Sequence, residues 1–202
     1  MEAAFIFHCL SEAFSFPDTP PGANNGIVAL LSQFSADANS KKTTTNPAIN
    51  PIESINAENL SELQAEYTRL FINAPHGVPA PPYASVYLSD NRRLMQEGYD
   101  EAIRFYLEAG IEPIKGPEPA DHIFYELEFI AMLLDIGQSV LLCRFLNDHI
   151  LKWYPQFLEH ILRAGPDPYY EAIAKITMSS LINLEKELCH EGESILKNGG
   201  SL

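Results

Sequence analysis

Apolar residues recur along this chain at three- and four-residue intervals over most of its length, the spacing of one buried face on a helix. A first helix is expected from about Glu2 to Phe16, with Phe5, Cys9 and Ala13 on one stripe and Pro17 past its end. Asp18-Thr19-Pro20-Pro21-Gly22 then turns the chain, and a short helix follows from about Asn25 to Phe34. The stretch 35–51, which holds Lys41-Lys42-Thr43-Thr44-Thr45, is too polar to pack and reads as a loop without fixed structure. Asn56 suits an N-cap for a helix carrying Leu60, Leu63, Tyr67 and Leu70. A further helix spans Asp100 to Ala109 with Ile103 and Leu107 inward and Gly110 as its stop. Ile123, Leu127, Ile130 and Leu134 mark the most apolar helix, expected at the centre of the core. Leu142, Leu146, Ile150 and Trp153 mark the next, which Pro155 should separate from a short helix ending near Ala164. The last runs from about Pro168 to Glu191 through Ile173, Thr177, Leu181, Leu184 and Leu188.

Period-two alternation bounded by hairpin turns is missing, and no repeat of 20 to 50 residues emerges. The pattern therefore predicts an all-α protein of seven or more helices. It forms one helical domain over residues 1–191, with 192–202 as a frayed tail. Proline lacks an N–H and fixes φ, so Pro75, Pro79, Pro81 and Pro82, with Gly77 among them, cannot lie within a helix. They make a stiff, extended connection that leads into Tyr83-Ala84-Ser85-Val86-Tyr87.

Composition narrows the function. Lys plus Arg is 13 against 27 for Asp plus Glu, a formal net charge of -14 spread along the chain. A phosphate backbone needs clustered cations, so nucleic acid is excluded, and a cationic partner or plain solubility is favoured. Cys9, Cys143 and Cys189 are odd in number and far apart, which gives no support to a disulfide framework or a structural zinc site. A reducing cytoplasm fits. No positive region opens the chain as in a secretory signal, and no apolar run is long enough to span a bilayer. The expectation is a soluble protein that is not itself exported.

Candidate chemistry gathers where the most apolar helix begins. Asp121, Tyr125 and Glu128 share one helical stripe and His122 and Glu126 are i, i+4 neighbours, so these groups could converge on one surface. The structural alternative is that Asp121 caps the helix, worth about 1 kcal/mol, with His122 assisting. Two metal ligands at His122 and Glu126 fall short of the three or four that zinc takes, and spacing alone brings neither His149 nor His160 near them. Neither a nucleophile elbow nor a phosphate loop is present. In the proline segment, Tyr83, Val86 and Tyr87 are amphipathic or apolar groups of the kind found on peptide-contacting surfaces, although prolines also serve simply to stiffen a crossing.

Three segments in order, Tyr67-x-x-Leu70-Phe71, Pro81-Pro82-Tyr83-x-Ser85-Val86-Tyr87 and Glu118-Pro119-x-Asp121-His122, the last followed by Glu126-Leu127-Glu128-Phe129, resemble the TorD/DmsD/NarJ-like chaperones that mature molybdenum-containing redox enzymes. The likeness covers roughly residues 56 to 188 and is closest to the TorD/DmsD type. It implies a non-enzymatic, all-helical chaperone fold with no cofactor of its own, the molybdenum cofactor being the client's. It implies as partners the apo-molybdoenzyme catalytic subunit and its twin-arginine signal peptide, without stable membrane insertion, bound by a monomer or homodimer. Asp121 and His122 take the client-recognition role, and Pro82, Tyr83, Ser85 and Tyr87 join them. Tyr125 and Glu126 complete the candidate site from their place on the helix, and Tyr67 and Phe71 are expected in the core beneath it. Two rivals stand beside this reading. One is an assembly factor for a membrane-anchored reductase subunit; the other is an enzyme using Asp121, His122 and Glu126 as acid/base groups.

Overall fold

The structure is a computed structural model that describes residues 2–20, 24–40, 60–112 and 116–198. Helix α1 spans Ala3–Ala13, α2 Asn25–Ser40, α3 Leu60–Tyr67, α4 Ala84–Leu88, α5 Glu97–Glu108, α6 Ile123–Asp135, α7 Ser139–Phe145, α8 Leu151–Arg163 and α9 Pro168–Asn198. Wide π-type turns at Thr68–Ile72 and Leu146–Ile150 extend α3 and join α7 to α8. Among the described residues extended pairing is confined to a single antiparallel bridge between Tyr83 and His122.

Helix α6 is the axis of the core, as its apolar sequence requires. Ile123, Leu127, Ile130, Ala131 and Leu133 are fully buried, and α1 lies along it with Phe7, Leu10 and Phe14 turned inward. Helix α8 contributes Trp153, Tyr154 and Phe157, all sealed from solvent, and packs on α9. Phe14, Tyr67, Phe71, Phe157 and Tyr170 form one aromatic cluster with ring centroids 5.0 to 6.2 Å apart. Each such buried ring stabilises the fold by roughly 1.5–3 kcal/mol relative to exposure. Tyr67 and Phe71 thus lie in the core, as expected.

Several helical faces differ from the sequence pattern. Phe5 is 47% exposed, and the buried stripe of α1 is Ala4, Phe7, Leu10 and Phe14 with Cys9 and Ala13 at its side. On α5, Leu107 is 55% exposed and Ile103 only half-buried, because the larger rings of Phe105 and Tyr106 take the inward positions with Ala102. The backbone of α2 continues through Ser40 into the stretch expected to be a loop, since no proline or glycine interrupts 35–40. The remainder of that stretch, the Asn56 cap and the last four residues lie outside the described residues. The backbone of α9 runs past Gly192 to Asn198, a single glycine being a cost of about 1 kcal/mol and not a stop.

Pro155 lies inside α8 and does not end it. It removes only the bond to the carbonyl of Leu151, the first residue after the π-type turn, where the helical ladder is already being rebuilt. Cys143 and Cys189 are joined as a disulfide that ties α7 to α9, against the expectation of unpaired thiols. Their separation of 46 residues hid a pairing that only the packing of two helices creates.

Candidate functional site

The proline segment is fastened to the body before it reaches the site. Gly77, at φ 95°, makes a left-handed turn that a side chain would strain. Beyond it the Ala80 amide donates to the Leu70 carbonyl at 3.0 Å, and His160 Nδ1 lies 3.1 Å from the Pro79 carbonyl. The chain then runs antiparallel to the segment preceding α6. Ile123 N–H donates to the Pro82 carbonyl at 2.9 Å, and Ala84 N–H donates to the Asp121 carbonyl at 3.0 Å. This short crossing brings the two sequence motifs together.

Asp121 does not cap its own helix. Its Oδ2 accepts from the Ser85 amide at 2.8 Å, so it caps the five-residue α4 on the opposite strand of the crossing. His122 is the N-cap of α6, Nδ1 accepting from Phe124 N–H at 3.1 Å. That acceptor role requires Nδ1 to be unprotonated, and burial holds the His122 pKa down at about 4. Tyr106 donates to the Ala120 carbonyl at 2.8 Å and steadies the turn before them.

The expected convergence of Asp121, His122, Tyr125, Glu126 and Glu128 on one surface does not occur. Asp121 and Glu126 are fully buried and His122 is 4% exposed. Glu128 points outward to His8 Nδ1 at 2.8 Å, whereas Glu126 points inward. The half-buried members are Tyr83, whose hydroxyl donates to Glu118 Oε2 at 2.6 Å, and Tyr125, whose hydroxyl lies against Gly116 where a Cβ would make it shift. Together with exposed Glu118 they form an aromatic, acidic rim. Beneath it Pro82, Ser85 and Tyr87 are buried, and Tyr87 stacks on Trp153 at 5.6 Å between centroids. Ser85 Oγ, Tyr87 OH, Ser89 Oγ and Asp121 Oδ1 are buried without a hydrogen-bond partner.

A second layer was not legible beforehand. Glu126 Oε1 lies 2.8 Å from His149 Nε2, Glu126 Oε2 accepts from Trp153 Nε1 at 3.0 Å, and His149 Nδ1 is 3.3 Å from Glu101 Oε2. Both imidazole nitrogens face carboxylates, which only accept, so both carry hydrogen and His149 is an imidazolium. Burial opposes that charge, but Glu126 and Glu101 outweigh it and hold the pKa at about 9. Burial raises the Glu126 pKa, partly countered by His149, while the His149 hydrogen bond lowers that of Glu101. His149 in the π-type turn and Trp153, four residues on in α8, both reach Glu126. An i, i+4 pair of polar rings on the otherwise apolar face of this segment was the available signal. No metal fits here: His122 and Glu126 are engaged in different directions, and among the described residues no group of three His, Cys, Asp or Glu could hold one.

Residues 29–159 match the family described as nitrate reductase delta subunit. The chain belongs to this family. Among its relatives is the "Probable Tat proofreading chaperone DmsD" of Haemophilus influenzae, 31% identical over 133 residues, which cover 65% of this chain and 63% of that protein. The chaperone protein TorD of Shewanella piezotolerans is 27% identical over 128 residues, 59% of each chain. The chain thus matches only about three fifths of the length of these relatives. A redox enzyme maturation protein of Archaeoglobus fulgidus shares the fold, with a TM-score of 0.57 and 22% identity over 93% of this chain and 94% of the other. The all-α, TorD-like fold expected from the sequence is the one found. Among the described residues no helix is long and apolar enough to cross a membrane.

Proposed function

We propose that this protein is a cytoplasmic chaperone for a redox-enzyme precursor, binding the twin-arginine signal peptide of an apo-molybdoenzyme and delaying its export until the client has received its molybdenum cofactor. The observation that carries the proposal is the rim of Tyr83, Glu118 and Tyr125 over a junction whose polar atoms on Ser85, Tyr87 and Asp121 are buried but unpaired. A peptide that joins an arginine pair to an apolar segment needs carboxylate beside aromatic surface, and the rim offers both. Asp121, His122 and Glu126 act by holding the crossing and α4 in place, whereas Tyr83 and Tyr125 meet the peptide. Because α4 is short and incompletely satisfied, it is the element that yields when the peptide seats. The chaperone turns over no substrate and holds no metal.

Fluorescence anisotropy with a labelled twin-arginine peptide tests this reading. Saturable binding is expected, weakened about tenfold by Tyr83→Ala, by Glu118→Gln and by replacing both peptide arginines with alanine. A peptide that fails to bind, or binding indifferent to all three changes, overturns it. The description of the matched family favours a second reading, an assembly factor for a reductase subunit that lacks such a signal. Association with the folded-domain portion of a client but not with its signal peptide would select it.

A further inference from the structure

The bond between Cys143 and Cys189 sits where α9 leaves the core. Tyr170, Ile173, Thr177, Leu181 and Leu184 of this helix are buried, whereas Leu188 is half-buried. Leu184 is the last buried side chain of α9 among the described residues, and the disulfide holds the helix just over one turn beyond it. At the α7 end the footing is firm. Cys143 stands between Leu142 and Phe145, both sealed in the core, and α7 runs directly into the π-type turn that carries His149. The bond therefore ties a helix end with little apolar grip of its own to the segment that supports the buried layer under the candidate site.

The two sulfurs are also reachable. Cys143 and Cys189 are half-buried, open enough for a thiol to approach. The remaining cysteine, Cys9, is 4% exposed, and burial, with the nearby Glu12 carboxylate, raises its thiol pKa. Asn147, exposed in the π-type turn, reaches over the bond from the solvent side. Its Nδ2 donates to the Cys143 carbonyl at 3.0 Å, and lies 3.4 Å from Cys189 Sγ and 3.7 Å from Cys143 Sγ. An N–H directed at sulfur stabilises a departing thiolate, and Cys189, the nearer of the two, gains most from it.

We infer that Cys143 and Cys189 form a reversible thiol–disulfide switch, which clamps the end of α9 onto α7 when oxidised and releases it when reduced. Release frees the helix beyond Leu184 and bares Leu188, while the buried part of α9 stays in the core. Closure restores a continuous link from the end of α9 to the His149 turn.

The chemistry is thiol–disulfide exchange. A thiolate of a dithiol reductant attacks Cys143 Sγ, the S–S bond breaks, and Cys189 departs as a thiolate that takes up a proton. The second thiol of the reductant loses its proton and attacks the reductant's own sulfur in the mixed disulfide. That step frees Cys143, which is protonated in turn, and leaves the reductant as a disulfide. Two electrons and two protons thus pass to the protein. Closing reverses the steps with glutathione disulfide as oxidant, which departs as two glutathione thiols. A disulfide in a reducing compartment is usually transient and serves sensing or catalysis. Only that choice of compartment rests on the chaperone reading; reversibility and release follow from the placement of the bond.

Two measurements on the full-length protein test the inference. In the first, native protein is equilibrated with mixtures of reduced and oxidised glutathione, trapped with a maleimide and digested, so that mass spectrometry reports the state of each cysteine. Cys143 and Cys189 are expected to pass together between disulfide and labelled thiols, with Cys9 unlabelled throughout. In the second, hydrogen exchange compares the two end states. Reduction is expected to accelerate exchange of the amides from Glu185 to Cys189 by about tenfold or more, with α1, α6 and α8 unchanged, and reoxidation to reverse it. Cys143→Ser and Cys189→Ser should each show the reduced pattern whatever the glutathione ratio. Asn147→Asp, which sets a carboxylate against the leaving sulfur, should slow reduction about threefold or more without moving the thermal midpoint. A bond that yields only in denaturant, a pair that stays as thiols under glutathione disulfide, or equal exchange in the two states each overturns the switch, and an unchanged rate in Asn147→Asp overturns the part given to Asn147. Anisotropy with the twin-arginine peptide on the same samples reports separately on the chaperone reading, whose failure would leave the exchange result intact.

Discussion

His122 and His149 titrate in opposite directions, and the difference is set by what each nitrogen faces. His122 offers a lone pair to a backbone amide in a dry site, so its folded pKa, about 4, lies below the unfolded value near 6.5. The unfolded chain then binds more protons between those values. Its contribution to stability is complete above pH 6.5 and is lost as pH falls toward 4, a change on the order of 3 kcal/mol. His149, held at about 9, behaves in reverse: its contribution is complete below pH 6.5 and is lost as pH rises through 9. Urea unfolding across pH 4 to 9.5 should show the wild type losing stability relative to His122→Asn on the acid side and relative to His149→Gln on the alkaline side. Flat difference curves would sink the assignment of both protonation states. A second expectation concerns Glu126. Glu126→Leu leaves the His149 charge buried against Glu101 alone and should cost about 3–5 kcal/mol, while adding His149→Leu should recover part of that loss. Additive single effects in the double-mutant cycle would mean that the two do not interact. The Asp-His pair itself was legible from its position before an apolar helix. Its partners were not, because Ser85, His149 and Trp153 meet Asp121 or Glu126 only through contacts 23 to 36 residues away in sequence.

Helix α4 is five residues long, too short to persist by itself, and its amide end is held by one carboxylate from another part of the chain. Asp121→Ala removes a charge-assisted bond worth about 1.5–3 kcal/mol. Hydrogen exchange at Ser85 to Tyr87 should accelerate about tenfold or more, with α8 and α9 unchanged. Asp121→Asn keeps an acceptor for the Ser85 amide and should accelerate it less. Equal acceleration throughout the molecule would mean that Asp121 supports the whole fold and not α4. Periodicity located most helices and failed at their faces and ends. The spacing alone puts Leu107 inward, but the rings of Phe105 and Tyr106 have more surface to bury and take the inward positions. Pro155 breaks a regular helix interior but not α8, because the wide turn before it has already interrupted the hydrogen-bond ladder.

For the whole molecule, a charge of -14 acts at a distance on any arginine-bearing peptide. Stopped-flow association with the twin-arginine peptide should slow by about tenfold or more between 0.05 and 0.5 M salt, as the screening length falls below roughly 10 Å, with a smaller change in the dissociation rate. Salt-independent association would remove long-range attraction from recognition. Net charge and helical class were both legible from composition and spacing. The Cys143–Cys189 link was not, since it depends on where α7 and α9 lie against each other.

The packing of α1 along α6 has a consequence for biosynthesis. Ser11 Oγ donates to the Phe124 carbonyl across 113 residues, and Phe7, Leu10 and Phe14 find their cover on elements made much later. At roughly 5–20 residues per second, α1 leaves the ribosome several seconds or more before α6 follows it. During that interval an apolar helix waits in solution without its partner. A protein proposed to shield unfinished clients therefore passes through an unfinished stage of its own, and its first helix is the segment on which a general nascent-chain chaperone would act.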